Sequence, residues 1–141
     1  LMMREAHRVL KPGGRFAILD PVVATAEDSL DEAIHDLINQ IFRRGHGENF
    51  HYHSAEDIQD LLGRAGFEVR RADLHIFSID QEGMEGVPTG RHWLEIAEQL
   101  QEKSPELRRR FEEKYFRYEK NGEAVHVRGK FGFALVCGEK R

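Results

Sequence analysis

Four titratable side chains fall where chemistry could gather. Asp20 closes the run RFAILD, and His46, His51 and His53 crowd the stretch GHGENFHYH beside Glu48. A carboxylate at the end of a strand can orient a substrate or accept a proton. Histidines exchange protons near neutral pH, so three in one loop could line a substrate wall or take a proton. Histidines with a carboxylate can also hold a metal, but this spacing matches no standard zinc pattern and no cysteine assists. Each candidate also has a plainer reading. Asp20 precedes Pro21 and suits a turn, and the histidines lead into Ser54, which suits a helix cap. Asp20, His46, His51 and His53 are therefore the substrate-facing candidates; no catalytic residue is assigned and no metal is expected. His7 and His35 fall on polar helix faces and read as solvated, His75 lies opposite the apolar phase of its strand, and Cys137 reads as an apolar filler. No G-x-S-x-G nucleophile elbow is present.

The flanking patterns say which elements must hold these groups. Met2, Ala6, Val9 and Leu10 share a helical face that stops at Lys11-Pro12-Gly13-Gly14. RFAILD then runs apolar on both faces, the mark of a strand covered on both sides in a parallel sheet. Asp20 would stand at its carboxyl end, where ligands gather in open α/β sheets. Thr25 to Asp28 reads as a T-x-x-D capping box. It would open a helix with Leu30, Ile34, Leu37, Ile38, Ile41 and Phe42 on one stripe, ended by Gly45 or Gly47. Ser54, with Asp57 three residues on, caps a helix over Ile58, Leu61, Leu62 and Ala65, and Gly66 takes the left-handed position after it.

A strand over residues 67–79 follows. Its apolar phase shifts from Phe67 and Val69 to Ala72, Leu74 and Ile76, which suggests a bulge near Arg70-Arg71 and an edge position. Trp93, Ile96, Ala97 and Leu100, then Leu107, Phe111, Tyr115 and Tyr118, predict a helical hairpin with Ser104-Pro105 between its arms and Asn121-Gly122 at its close. The last strand, GKFGFALVCG, sets Phe131, Phe133, Leu135 and Cys137 on one face. Gly132, Ala134 and Val136 take the other, where small side chains admit a close helix. Such a strand belongs in a sheet interior.

The totals fit one soluble domain. There are 141 residues, 40% hydrophobic and 33% charged, with a net charge of −4. The one basic run, Arg108 to Arg110, is followed by Glu112 and Glu113, so no nucleic-acid partner is expected. A single cysteine excludes an internal disulfide and points to a reducing, cytoplasmic setting. No apolar run approaches the roughly 20 residues that span a bilayer, so no membrane partner is expected. The sequence opens on Leu rather than Met, which reads as a truncation.

HRVLKPGGRFAILD, HSAEDIQDLLGRAGFEV and the closing KFGFALVCGEK resemble the C-terminal half of a class I S-adenosylmethionine-dependent methyltransferase. They fall within the broad type 11 group that includes the ubiquinone and menaquinone C-methyltransferases and many small-molecule enzymes. The resemblance implies an α/β, Rossmann-like sheet of seven strands with the last inserted antiparallel between the fifth and sixth. Residues 15–19 would be the fifth strand, 67–78 the sixth and 130–137 the seventh. Residues 1–141 would form a partial methyltransferase domain, and residues 89–120 a helical hairpin inserted in it. The implied cofactor is S-adenosylmethionine, whose methyl a small-molecule nucleophile attacks directly while the enzyme aligns the two.

The family's glycine-rich turn after the first strand and the acid after the second are absent. No residue here is therefore assigned to cofactor binding, and the isolated chain is expected to be inactive. Two other readings remain: a non-catalytic remnant that binds a partner or oligomerises, and a metal hydrolase built on the histidine loop. If the sheet stops at RFAILD, its open edge recruits a complementary half or a second copy as a homodimer.

Overall fold

The computed structural model describes residues 2–141. The elements run α1 (Met2–Val9), β1 (Arg15–Val22), α2 (Ser29–His46), α3 (Ala55–Arg64), β2 (Phe67–Glu82), α4 (Gly90–Gln101), α5 (Pro105–Lys114), β3 (Phe116–Asn121) and β4 (Ala124–Lys140). One four-stranded sheet has the order β1-β4-β2, with β3 pairing β4 outside that path. The chain divides into two compact units. One comprises residues 2–25, His53–Ile76 and Gly132–Arg141; the other comprises Ala26–Tyr52 and Phe77–Phe131. None of the helices is long and apolar enough to cross a membrane, among the described residues.

In the first unit, Val22, Ile58, Leu62, Phe67, Ala134 and Val136 form a buried cluster. Met3, Ala6 and Leu10 of α1 and Phe16 and Ile18 of β1 pack against it. Side chains alternate along a strand. Phe16, Ile18 and Val22 therefore face these helices, and Ala17 and Leu19 face the other way. Leu19 is 69% exposed. This corrects one expectation for RFAILD. Its apolar run is covered on one face only, because α1 and α3 both pack on the same cluster. It runs antiparallel to β4, from Arg15 opposite Glu139 to Val22 opposite Gly132, the direction expected of the last strand beside it. A run apolar on both faces shows what a strand tolerates, not what covers it.

The turns of this unit follow local chemistry. Gly13 has φ +78°. Its N–H donates to the Lys140 carbonyl at 2.7 Å, and the Lys140 N–H returns a bond to Gly14 at 2.9 Å. The Lys140 ammonium donates to the carbonyls of His7 (2.6 Å) and Leu10 (2.8 Å) at the C-terminal end of α1. α3 has the reciprocal capping box between Ser54 and Asp57, and Gly66 takes φ +97°. A side chain at Gly66 would meet the His7 ring at 2.8 Å, and that ring also stands edge-on to Phe67 at 5.1 Å. His7 is thus packed, not solvated. Ala134 and Val136 are fully buried, and a side chain at Gly138 would strike Phe67 at 2.8 Å. Ala134 and Val136 share their cluster with Ile58 and Leu62 of α3. Val69 packs on the cluster, yet a side chain at Gly132, on the same face, would reach Leu74. The change from odd to even parity places a phase slip in β2 between them.

In the second unit, α2 starts later than its sequence suggested. Asp28, not Thr25, is the N-cap: its side chain accepts from the Asp31 N–H at 3.0 Å. Asp31 accepts from the Glu27 N–H at 2.9 Å, one residue ahead of the cap, so the helix start is displaced by three residues and the reciprocal box expected over Thr25 to Asp28 is replaced by a single side-chain cap. The helix ends at Gly47, φ +97°, whose N–H bonds the Arg43 carbonyl at 2.9 Å. Ile34, Leu37, Ile38, Ile41 and Phe42 are buried on its stripe.

Ser104 and Pro105 open α5 as expected, without a side-chain cap bond. The helical hairpin, however, stops at Lys114. Residues 116–121 form β3 instead, paired with β4 from Phe116 opposite Gly129 to Asn121 opposite Ala124. The spacing of Tyr115 and Tyr118 mimicked a helix stripe, but aromatic residues also favour strands, and a ready partner strand decided. Asn121-Gly122, with Gly122 at φ +65°, closes a β-hairpin.

Candidate functional site

Asp20 and His53 come together in the first unit although 33 positions separate them. Beyond β1, the Val23 N–H donates to the His53 carbonyl at 3.0 Å, and Val23 forms a parallel bridge with Ser54. The capping box then locks Ser54 at the head of α3. A strand end and a helix start therefore fix the two residues from opposite sides. Asp20 lies opposite Ala134 in the pair with β4, two residues before β1 ends at Val22. Its side chain reaches solvent, while protein packed along it pushes the carboxyl above its ordinary value and the charge of His53 opposes that rise. A carboxylate can in general orient a hydroxyl or amine and take its proton.

The other two candidates lie in the second unit, each in its own setting. His46 belongs to the last turn of α2 rather than to a loop. Its exposed ring stacks on Phe50 at 5.0 Å, Phe42 at 5.9 Å and His92 at 5.9 Å. His51 is exposed, with Nδ1 at 3.5 Å from an Arg43 nitrogen; Arg43 in turn donates to the Phe50 carbonyl at 2.8 Å. The structure thus brings the charge of His53 to bear on Asp20, sets His46 in an aromatic stack and leaves His51 beside a cation. No set of three or more His, Cys, Asp or Glu side chains is placed to hold a metal, among the described residues.

Two groups were not foreseen. His92 lies 4.7 Å from Phe42, ring on ring. His35, read as solvated, has Nε2 at 2.8 Å from the Tyr115 hydroxyl, and the Tyr115 ring stacks on Trp93 at 6.0 Å. Trp93 is buried, and its indole N–H has no hydrogen-bond partner among the described residues. Phe131 and Phe42 meet it edge-to-face at 5.7 and 5.6 Å, so ring faces surround the indole. The Tyr115 partner lies 80 residues from His35, beyond the reach of any local pattern.

The strand-to-helix turn richest in left-handed glycines holds Gly83 and Gly86, between β2 and α4. There the Gly83 N–H donates to the Val125 carbonyl at 2.7 Å, and Gln81 donates to the carbonyls of Gly83 and Glu85.

No family model matches the chain, and no curated sequence matches it either. Solved structures do match. A candidate methyltransferase from Bacillus halodurans, BH2331, superposes with a TM-score of 0.57 at 20% identity, over 99% of this chain and 57% of its own. The YcgJ protein of Bacillus subtilis superposes with a TM-score of 0.55 at 18% identity, over 99% of this chain and 56% of its own. At such identities the likeness is one of fold. The chain spans little more than half the length of either.

Proposed function

We propose that the chain is part of an S-adenosylmethionine-dependent methyltransferase acting on a small molecule, in the portion that faces the substrate. The observation that carries this reading is the match of 99% of the chain to part of a candidate methyltransferase. RVLKPGG ahead of β1 supports it from the sequence side. The order β1-β4-β2, with β4 antiparallel to β1, agrees with strands five, seven and six of that family. In this reading the donor-binding residues lie outside Leu1–Arg141. Asp20 and His53 face the acceptor, with Asp20 taking the proton where the nucleophile carries one; His46 and His51 are further substrate-facing residues.

The test is methyl transfer by protein expressed with whatever coding sequence flanks these residues. Asp20→Asn and His53→Gln are each expected to lower kcat about 100-fold, the lower end for a lost general base. Unchanged turnover in both removes Asp20 and His53 from the chemistry. Calorimetric titration of residues 1–141 alone with S-adenosylmethionine is expected to show no binding, and tight binding overturns the placement of the donor site elsewhere.

A second reading, a partner-binding module, is favoured by β1. It pairs only with β4 among the described residues, and its outward face carries Leu19, 69% exposed. Exposed strand edges recruit other chains; the partner would be a complementary half or a second copy.

A further inference from the structure

We propose that the first unit pairs with a second copy of itself along the free edge of β2, over residues 72–76. β2 ends the strand path β1-β4-β2, and none of its residues makes a backbone hydrogen bond outside the sheet, among the described residues. An edge strand holds a row of open N–H and C=O groups, a template for another strand. Edge strands are ordinarily kept short for that reason, yet β2 runs for 16 residues.

The stretch Ala72-Asp73-Leu74-His75-Ile76 alternates apolar and polar residues. Ala72, Leu74 and Ile76 share one face. All three are exposed, Leu74 by 54% and Ile76 by 63%. Asp73 and His75 share the other face. Two such stretches, run antiparallel about a two-fold axis at Leu74, set Leu74 against Leu74, Ala72 against Ile76 and Asp73 against His75. Residues directly opposite in an antiparallel pair lie on one face and interact. Apolar side chains then meet on one side of the paired strands, and on the other an acid meets a base twice. His75 is exposed, and its imidazole can donate to a carboxylate that Arg71 meets from within its own chain.

The pattern selects both the register and the partner. An axis one residue earlier sets Asp73 against Asp73, and one residue later sets His75 against His75. Like charges directly opposite destabilise a strand pair, so the axis at Leu74 is preferred. A two-fold interface requires a surface complementary to itself, and this stretch answers its own reverse. That is what favours a second copy over an unrelated strand. Joining strands through main-chain bonds, with alternate side chains giving specificity, is a recurrent mode of association. A contact this short lies at the small end of specific interfaces, so a dimer in the micromolar range is expected. The inference concerns β2, not the β1 edge, and does not depend on the methyltransferase reading.

The test is equilibrium sedimentation of the Leu19→Lys chain, which keeps the apolar β1 face out of the measurement. A monomer–dimer equilibrium is expected. Adding Leu74→Lys places two ammonium groups across the axis, and is expected to weaken the dimer about tenfold or more with the far-ultraviolet circular dichroism unchanged. Directly opposite strand residues lie within reach of a disulfide. Leu74→Cys, made together with Cys137→Ser, is therefore expected to link two copies on mild oxidation. A monomer at high micromolar concentration, association that Leu74→Lys leaves equally tight, or no disulfide between Leu74→Cys chains overturns the proposal.

Discussion

Three charged side chains show how the same chemistry takes opposite signs. Asp31 is 1% exposed. Burial alone would raise its pKa, but the Lys114 ammonium, the Glu27 N–H and Arg110 outweigh burial and bring it down to about 2. A depressed carboxyl stabilises the fold above its unfolded value and loses that contribution as pH falls. About 2 kcal/mol is thus expected to vanish between roughly pH 4 and pH 2, as read by denaturant unfolding across that window. Asp31→Asn should remove the same slope and leave Arg110 and Lys114 without their shared partner. His126 behaves in the other sense. Its two ring nitrogens face Glu82 and Asp80, which raise its pKa. What it contributes is complete below about pH 6.5 and fades as pH rises through the higher folded value. An NMR titration should place the midpoint above 6.5, and Asp80→Asn should lower it. For Asp20, burial raises the pKa and His53 restrains it. His53→Gln should therefore raise the carboxyl further; a fall would show that the two do not interact as placed.

Among the elements, α3 is the one most fully specified by its own residues. Ser54 caps it, Asp57 completes the box and Gly66 ends it. Ser54→Ala should cost about 1 kcal/mol in denaturant unfolding. Gly66→Ala should cost at least as much, because φ +97° is strained for any side chain and the His7 ring stands in the way. β3 is the opposite case. FRYEKN carries aromatic residues at a spacing that fits a helix as well as a strand. It became a strand because residues 124–129 of β4 present it with six facing positions. Pairing that spans a hairpin turn is a property of two segments, and neither alone announces it.

At the scale of the whole chain, each unit has its own core. Leu62 is fully buried in the first unit, and Leu62→Ala should cost about 2–5 kcal/mol, depending on how far its surroundings close in. The sheet face bearing Leu19 is the counterpart, an apolar surface left to solvent. If that face and the β1 edge recruit a partner, equilibrium sedimentation should show association, and Leu19→Lys should reduce it. A monodisperse monomer at high micromolar concentration would remove the partner-binding reading and leave the catalytic one untouched.

The sequence by itself determined the helices, most caps and the faces of the last strand. These depend on spacing and on one or two adjacent residues. Gly66 and the Ser54-Asp57 box could be placed without any neighbour in space, and the end of α2 narrowed to Gly45 or Gly47. The structure decided what the chain's distant parts do to each other. It turned residues 116–121 into a strand, gave His35 to Tyr115, brought the charge of His53 to bear on Asp20 and put Arg117 across from Arg128. The reason is the range of the forces involved. Backbone caps act within one helical turn, whereas pairing, burial and charge act between segments whose meeting no local pattern records.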